Sequence, residues 1–178
     1  MKVTAQEISE RGFSISFEIA TPWARSAAAT AMEGAVSALR GEINIRRYQS
    51  DLAVTGEVMV AASRTCDRCG GDVTLTIDGP LELTYVPNLR GEISPGGTRE
   101  LVSSELDLGL YKEGSLDLSL VLQEHLALQL PWRVTCDLPN VSPSGEACDP
   151  NLLKPPERGP DPRWAALAAL VPDASEEN

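Results

Sequence analysis

The chain has 178 residues, a net charge of −11 and 42% hydrophobic residues, which is enough for one buried core built mainly from aliphatic side chains. This composition excludes a chain that is disordered throughout, and no stretch reaches the roughly 18 apolar residues of a membrane-spanning helix. Residues 1–11 are polar and lack the apolar run of a signal peptide, so we expect a cytoplasmic protein.

The charge is uneven along the chain. Residues 1–90 carry a net charge of −2 and residues 91–178 a net charge of −9. An acidic surface binds phosphate backbones poorly but attracts basic proteins at long range, so the second half favours a basic partner. Several arginines in the first half provide for local RNA binding, or they are ordinary solvated residues at strand edges. They are Arg40, Arg46, Arg47, Arg64 and Arg68.

The first predicted elements are a strand and a helix. Residues 13–19 alternate between apolar and polar side chains, which is typical of a half-buried strand. Thr21 and Pro22 suit the N-cap and the first position of a helix that continues to Met32 and ends near Gly34.

Long strands follow from Ala35 to Tyr85. Apolar residues alternate with polar ones in three runs joined by short turns, which predicts an antiparallel meander. We therefore expect an α+β fold, in which a long-stranded antiparallel β-sheet curls toward a barrel and is covered by a few helices. The sequence Cys66-Asp67-Arg68-Cys69-Gly70-Gly71 lies at the tip of one predicted hairpin.

The next segments are a loop at 87–99, a short strand near 106–110 and a helix from Leu118 to Leu130. Asp117 suits the N-cap of this helix, and Pro131 stops it. An apolar stripe widened by Leu120 and Leu128 predicts that the helix is well buried.

Composition changes after this helix, because nine of the 13 prolines lie between Pro131 and Pro172. We expect two parts. Residues 1–130 form the α+β body with the Cys-x-x-Cys hairpin. Residues 131–178 form a proline-rich C-terminal tail whose short terminal helix, residues 161–170, packs on the body.

The four cysteines form the strongest chemical motif. Cys66 and Cys69 are spaced as a metal-binding knuckle, and Gly70 lets the backbone amides face the sulfur atoms. Cys136 and Cys148 are too far apart to form a second knuckle, but they complete a four-sulfur set if the proline-rich segment folds back. The set predicts one structural zinc ion. Free thiols without a metal, a disulfide and redox chemistry stay open as alternatives.

Other reactive constellations are weak. A thiol-disulfide oxidoreductase places its Cys-x-x-Cys at a helix start, whereas strand-like sequence flanks Cys66 and Cys69 on both sides. The single histidine, His125, has no nucleophile placed near it by a motif and is interpreted as an ordinary helix residue. Glu105 and Asp107 fit an exposed strand face. No glycine-rich phosphate loop occurs, so we expect neither catalysis nor a small-molecule substrate.

The order of these features resembles the YceD family of large ribosomal RNA subunit accumulation proteins. The resemblance covers about residues 35–170 and rests on the Cys-x-Arg-Cys turn and a downstream helix that ends in Leu-Ala-Leu-Gln-Leu-Pro. Cys148-Asp149-Pro150 and Asp161-Pro162-Arg163-Trp164 follow in the same order. Many family members carry a denser cysteine cluster after the helix, of which only Cys136 and Cys148 are present here.

The resemblance implies a non-catalytic factor in ribosome biogenesis. It would support accumulation of 23S rRNA and large-subunit assembly by binding a basic ribosomal protein, rRNA or both, and it would not act at a membrane. A thiol-disulfide oxidoreductase or a zinc-binding sensor that uses Cys66 and Cys69 is the competing interpretation.

Overall fold

The structure is a computed structural model that describes residues 1–9, 11–87 and 108–149. The described residues form two helices and eight strands. In chain order these are β1 (Lys2–Thr4), β2 (Phe13–Glu18), α1 (Pro22–Met32), β3 (Val36–Tyr48), β4 (Asp51–Thr65), β5 (Asp72–Pro87), β6 (Leu108–Tyr111), β7 (Ser115–Asp117), α2 (Leu118–Gln129) and β8 (Val141–Pro143).

The chain divides into two units, Met1–Cys148 and Asp149–Asn178. All elements above belong to the first unit, and only Asp149 of the second lies within the described residues. The expected loop at 87–99, the carboxylates Glu105 and Asp107 and the terminal helix at 161–170 lie wholly or almost wholly outside the described residues. The expected division between 1–130 and 131–178 stays a prediction.

The main sheet is built around three long strands in a meander. Its order is β2-β3-β4-β5-β6. β6 pairs with the last residues of β5, 84–87, and β8 pairs with its first residues, 73–75. All its pairings are antiparallel except β5 with β6, which is parallel. β1 and β7 form a separate antiparallel pair. The predicted meander and the short strand after it are therefore confirmed, whereas the parallel pairing of that strand was not foreseen.

One face of the sheet carries the core, because side chains alternate between faces along each strand. On β3, β4 and β5 the fully buried residues recur at every second position, as with Ile43 and Ile45, Val58 and Val60, and Leu75. The two helices pack against each other and against strands on this inner face. The other face, called here the outer face, bears mainly polar side chains such as Glu42 on β3.

The bounds of both helices follow the sequence signals. Pro22 is at the start of α1, as predicted, although the Thr21 hydroxyl accepts from the backbone N–H of Glu18 and does not cap the helix. At α2 the Asp117 carboxylate does cap, accepting from the backbone N–H of Ser119 at 2.9 Å. Both predicted starts are therefore confirmed.

α2 buries the predicted stripe, but the expectation that Leu120 and Leu128 widen it is wrong. Leu118, Val121 and Leu126 are buried, but Leu120 is 52% exposed and Leu128 is 78% exposed. The reason is geometric. A helix lying on one side of a sheet buries one stripe, and Leu120 and Leu128 project from the opposite side.

The fold class is α+β with a mainly antiparallel sheet and two described helices. The described strands leave β2 and β6 as separate edges of the main sheet, so the expected curl toward a barrel stays a prediction. Within the described residues, no helix is both long enough and apolar enough to span a bilayer.

Candidate metal centre

The tip of the β4–β5 hairpin positions the first two sulfur atoms. The backbone N–H of Gly70 donates to the carbonyl of Cys66 at 2.9 Å, and the N–H of Cys66 donates to the carbonyl of Gly71 at 2.8 Å. This tight turn requires a positive φ of 74° at Gly70, a conformation that glycine adopts without steric cost. The Cys-x-x-Cys-Gly sequence thus forms a knuckle at a hairpin, as predicted, and not at the start of a helix.

Hydrogen bonds that involve backbone groups dock the segment from 131 to 148 against this hairpin. Asp67 and Val134 exchange two of them: the Asp67 N–H donates to the Val134 carbonyl at 2.8 Å, and the Val134 N–H donates to the Asp67 carboxylate at 2.7 Å. Further along, β8 pairs with the first residues of β5, and the Ser144 N–H donates to the Asp72 carbonyl at 2.9 Å. These bonds bring Cys136 and Cys148 to the hairpin tip.

The four cysteine sulfur atoms form one cluster. All lie within 4.8 Å of one another. The Sγ atoms of Cys66 and Cys148 are 3.9 Å apart, as are those of Cys69 and Cys136. A tetrahedron with zinc–sulfur bonds of about 2.3 Å has sulfur–sulfur edges of about 3.8 Å. A disulfide requires about 2.05 Å, and all four cysteines are free thiols. The donor set and its spacing therefore fit a tetrahedral Cys₄ zinc site.

Two backbone N–H groups in the knuckle point at sulfur. That of Arg68 donates to Cys66 Sγ and that of Gly71 to Cys69 Sγ, both at 3.4 Å. Such bonds stabilise thiolates, which are the form that binds a metal. Burial raises the pKa of the Cys66 thiol, but the surrounding backbone N–H groups outweigh it and lower that pKa to about 6.

The thiols of the second pair are held in the neutral form. Burial raises the pKa of Cys148 to about 12, with a further contribution from hydrogen bonds with the other thiols. The pKa of Cys136 is also raised, because burial and its bonds with Cys66 and Cys69 outweigh the hydrogen bonds from Cys148. A cation that binds all four sulfur atoms must therefore displace protons.

A charged pair lies beside the cluster. The Arg68 guanidinium contacts both carboxylate oxygens of Asp137, at 3.1 and 3.3 Å, and its Nη1 lies 3.9 Å from Cys148 Sγ. Arg68 thus links the knuckle to the docked segment and places a positive charge next to sulfur atoms that become anionic on metal binding. The sequence interpretation placed Arg68 among possible RNA-binding arginines. It missed this role because nothing in the local sequence pairs Arg68 with Asp137.

The remaining arginines of that group do not form one patch. Arg64 lies near the hairpin tip and pairs with Glu33 at 3.6 Å. Arg46 and Arg47 lie at the opposite end of the sheet, where Arg46 faces Ala53 on β4. The 13 residues from Ala53 to Thr65, the residue before Cys66, span about 40 Å of extended chain. Any RNA-binding role for Arg46 is therefore separate from the cysteine cluster.

His125 lies on α2. It is 5% exposed, and its Nε2 atom has no hydrogen-bond partner within the described part of the chain. Burial lowers its pKa below the usual value. The neighbouring Glu124 accepts a hydrogen bond from the Tyr85 hydroxyl at 2.9 Å. In the described structure His125 is a buried residue of α2 and does not belong to the four-cysteine cluster.

Comparison with known proteins identifies a family but no individual relative. No curated protein and no solved structure gives a significant match to the chain. The family model described as large ribosomal RNA subunit accumulation protein YceD matches residues 54–171, which is more than half of the chain. The match begins in β4, includes all four cysteines and extends beyond the described residues. The chain therefore belongs to the YceD family.

Proposed function

We propose that the protein is a non-catalytic ribosome biogenesis factor that supports 23S rRNA accumulation and assembly of the large ribosomal subunit in the cytoplasm. The observation that carries this proposal is the family match across residues 54–171. The description of the family refers to accumulation of large-subunit ribosomal RNA. The part of the match that the structure describes contains the cysteine-bearing hairpin and the segment docked on it.

The cysteine cluster has an architectural role in this proposal. Cys66, Cys69, Cys136 and Cys148 hold one structural zinc ion, which fixes the segment 131–148 to the tip of the β4–β5 hairpin. The close agreement between the sulfur spacing and a tetrahedral site supports zinc as the metal. When bound, the ion supplies a cross-link between distant parts of the chain and no reaction chemistry.

The partner is a basic ribosomal protein, rRNA or both. Among the described residues, the outer face of the sheet has an acidic groove and a basic groove. The larger is lined by the carboxylates of Glu18, Glu42, Glu57 and Asp78, with Arg40 as its one cation. Glu42 and Glu57 face each other directly in the β3–β4 register, an arrangement that costs stability unless a cation lies nearby. This groove suits lysine and arginine side chains. The second groove is basic, because Arg11 and Arg46 line it.

A thiol-disulfide oxidoreductase is the competing function. The lowered pKa of Cys66 favours it, because a thiolate is the reactive form. However, Cys66 is only 1% exposed and sits on a hairpin within a cluster of four sulfur atoms. A redox-active thiolate must reach the substrate disulfide, so this geometry favours the metal. A zinc sensor uses the same ligands but requires an ion that exchanges readily.

Deletion of the gene, followed by quantification of large-subunit and small-subunit rRNA, tests the role. We expect a selective fall in 23S rRNA that is restored by the wild-type gene. Complementation with Cys66→Ser separates the mechanisms. An architectural zinc site predicts a less stable protein with reduced complementation and no turnover in a disulfide-exchange assay. Unchanged rRNA after deletion contradicts the proposed role, and disulfide turnover that Cys66→Ser abolishes supports the oxidoreductase.

Elemental analysis tests the metal site directly. Purified wild-type protein is expected to contain about one zinc per chain, and the Cys136→Ser/Cys148→Ser variant much less. A sensor would lose its zinc to a weak chelator within seconds, whereas a structural ion resists it until the protein unfolds. Wild-type protein without bound metal would contradict the zinc assignment but leave the family role untouched.

A further inference from the structure

A basic groove with an exposed aromatic ring lies on the outer face of the sheet, at the end where β3 turns into β4. Its volume is about 500 Å³, and β2, β3 and β4 form its floor. We call it the Arg–Tyr groove, after the side chains at its rim and floor. These are Arg11, Ser14, Asn44, Arg46, Tyr48 and Thr55.

The two arginines of this groove, Arg11 and Arg46, form no ion pair within 4.0 Å with any residue that the structure describes. No aspartate or glutamate within the described part of the chain lines the groove. Two guanidinium groups beside one cleft produce a local positive potential in a protein whose net charge is −11. That potential attracts an anion and disfavours a basic peptide.

The aromatic ring adds a second kind of contact. Tyr48 is 60% exposed at the end of β3, although tyrosine in a sheet usually buries most of its ring. An exposed ring beside arginines is the arrangement on which unpaired nucleic-acid bases stack. Ser14 donates its hydroxyl proton to the side-chain oxygen of Asn44, and the Asn44 amide protons have no acceptor among the described residues. Those protons can reach a phosphate or a base edge.

The acidic side chains nearby limit the length of the ligand. Glu42 lies two positions from Asn44 on the same outer face and lines the acidic groove. A phosphate backbone that ran along β3 toward the cysteine cluster would meet Glu42 and Glu57. One that crossed from the groove onto β4 and β5 would meet Asp51, opposite Tyr48, and Glu82, opposite Thr55. The groove is therefore suited to a short run of unpaired nucleotides.

From these features we propose that the Arg–Tyr groove binds single-stranded RNA, with Arg11 and Arg46 contacting phosphates and Tyr48 stacking on a base. The choice of RNA rests on the proposed function in rRNA accumulation. The choice of single strands rests on the exposed ring, since a base inside a duplex cannot stack on a side chain.

Fluorescence anisotropy with a labelled single-stranded RNA oligonucleotide tests this site on the full-length protein. Tyr48→Ala is expected to weaken binding about tenfold, whereas Tyr48→Phe keeps the ring and should bind like wild type. Loss of two phosphate contacts in Arg11→Gln/Arg46→Gln should lower the slope of log K against log salt by about 1.4. Arg25→Gln is the matched control, because Arg25 is exposed on α1 and has no ion-pair partner in the described structure.

Three results would overturn the RNA site. They are no binding at low salt, an equal loss of affinity in Arg25→Gln, or equal affinity for the same sequence as a duplex. Expression of Arg11→Gln/Arg46→Gln in the deletion strain separates this proposal from the general one. If deletion lowers 23S rRNA and this variant restores it fully, the groove is not the RNA site, but the role in biogenesis stands. If deletion leaves 23S rRNA unchanged, the proposed function fails whatever the oligonucleotide shows.

Discussion

Removal of the proposed zinc ion from the four-cysteine cluster should strongly destabilise the protein. Cys69 and Cys136 are 67 residues apart in the chain, so a metal that binds both closes a long loop. Closing a loop of that length removes about 4 kcal/mol of chain entropy from the unfolded state, if the metal acts like another covalent cross-link. For a domain of this size, that corresponds to a fall of about 10 °C in the melting temperature.

The assay is thermal and urea unfolding of the reduced protein, with and without a zinc chelator, at constant pH. The Cys136→Ser/Cys148→Ser variant is expected to melt near the temperature of the chelated wild type, and the chelator should have no further effect on it. The hydrogen bonds between Asp67 and Val134 remain possible in both cases, so native β structure should persist at low temperature. A chelated wild type whose melting temperature falls by less than about 2 °C would refute the cross-link reasoning.

Three further predictions concern the body. Asp117→Ala should lower the free energy of unfolding by about 1 kcal/mol through loss of the α2 cap, and Asp117→Asn should lower it by much less. Urea titration measures both, and equal losses would contradict the capping role. His125 has a lowered pKa, so the unfolded state binds more protons than the native state and wild-type stability falls as the pH drops below about 6.5. His125→Leu should reduce that fall, and parallel pH profiles of the two proteins would contradict it. Gly56→Ala should destabilise the protein by more than about 1 kcal/mol, because the new Cβ would lie 1.9 Å from the Glu42 carbonyl oxygen. Gly79→Ala is the control, since a Cβ there meets open space. Equal melting temperatures of the two variants would refute the steric argument.

Local sequence determined the elements and the first half of the metal site. Alternation of apolar residues identified the long strands, and Pro22 and Asp117 marked the helix starts. These signals are reliable because they act within one turn or one pleat of the chain. The Cys66–Cys69 knuckle is equally local, since its geometry depends on a six-residue turn.

Only the tertiary structure decided which distant groups meet. Spacing in the chain carries no information on whether Cys136 and Cys148 reach the knuckle; pairing of β8 with β5 and the Asp67–Val134 bonds bring them there. The exposure of Leu120 was missed because a helix pattern does not show which side lies against the sheet. Arg46 and Arg68 are likewise far apart because β3 and β4 are long. Arg46 lies at one end of this strand pair, and Arg68 lies in the turn at the other end.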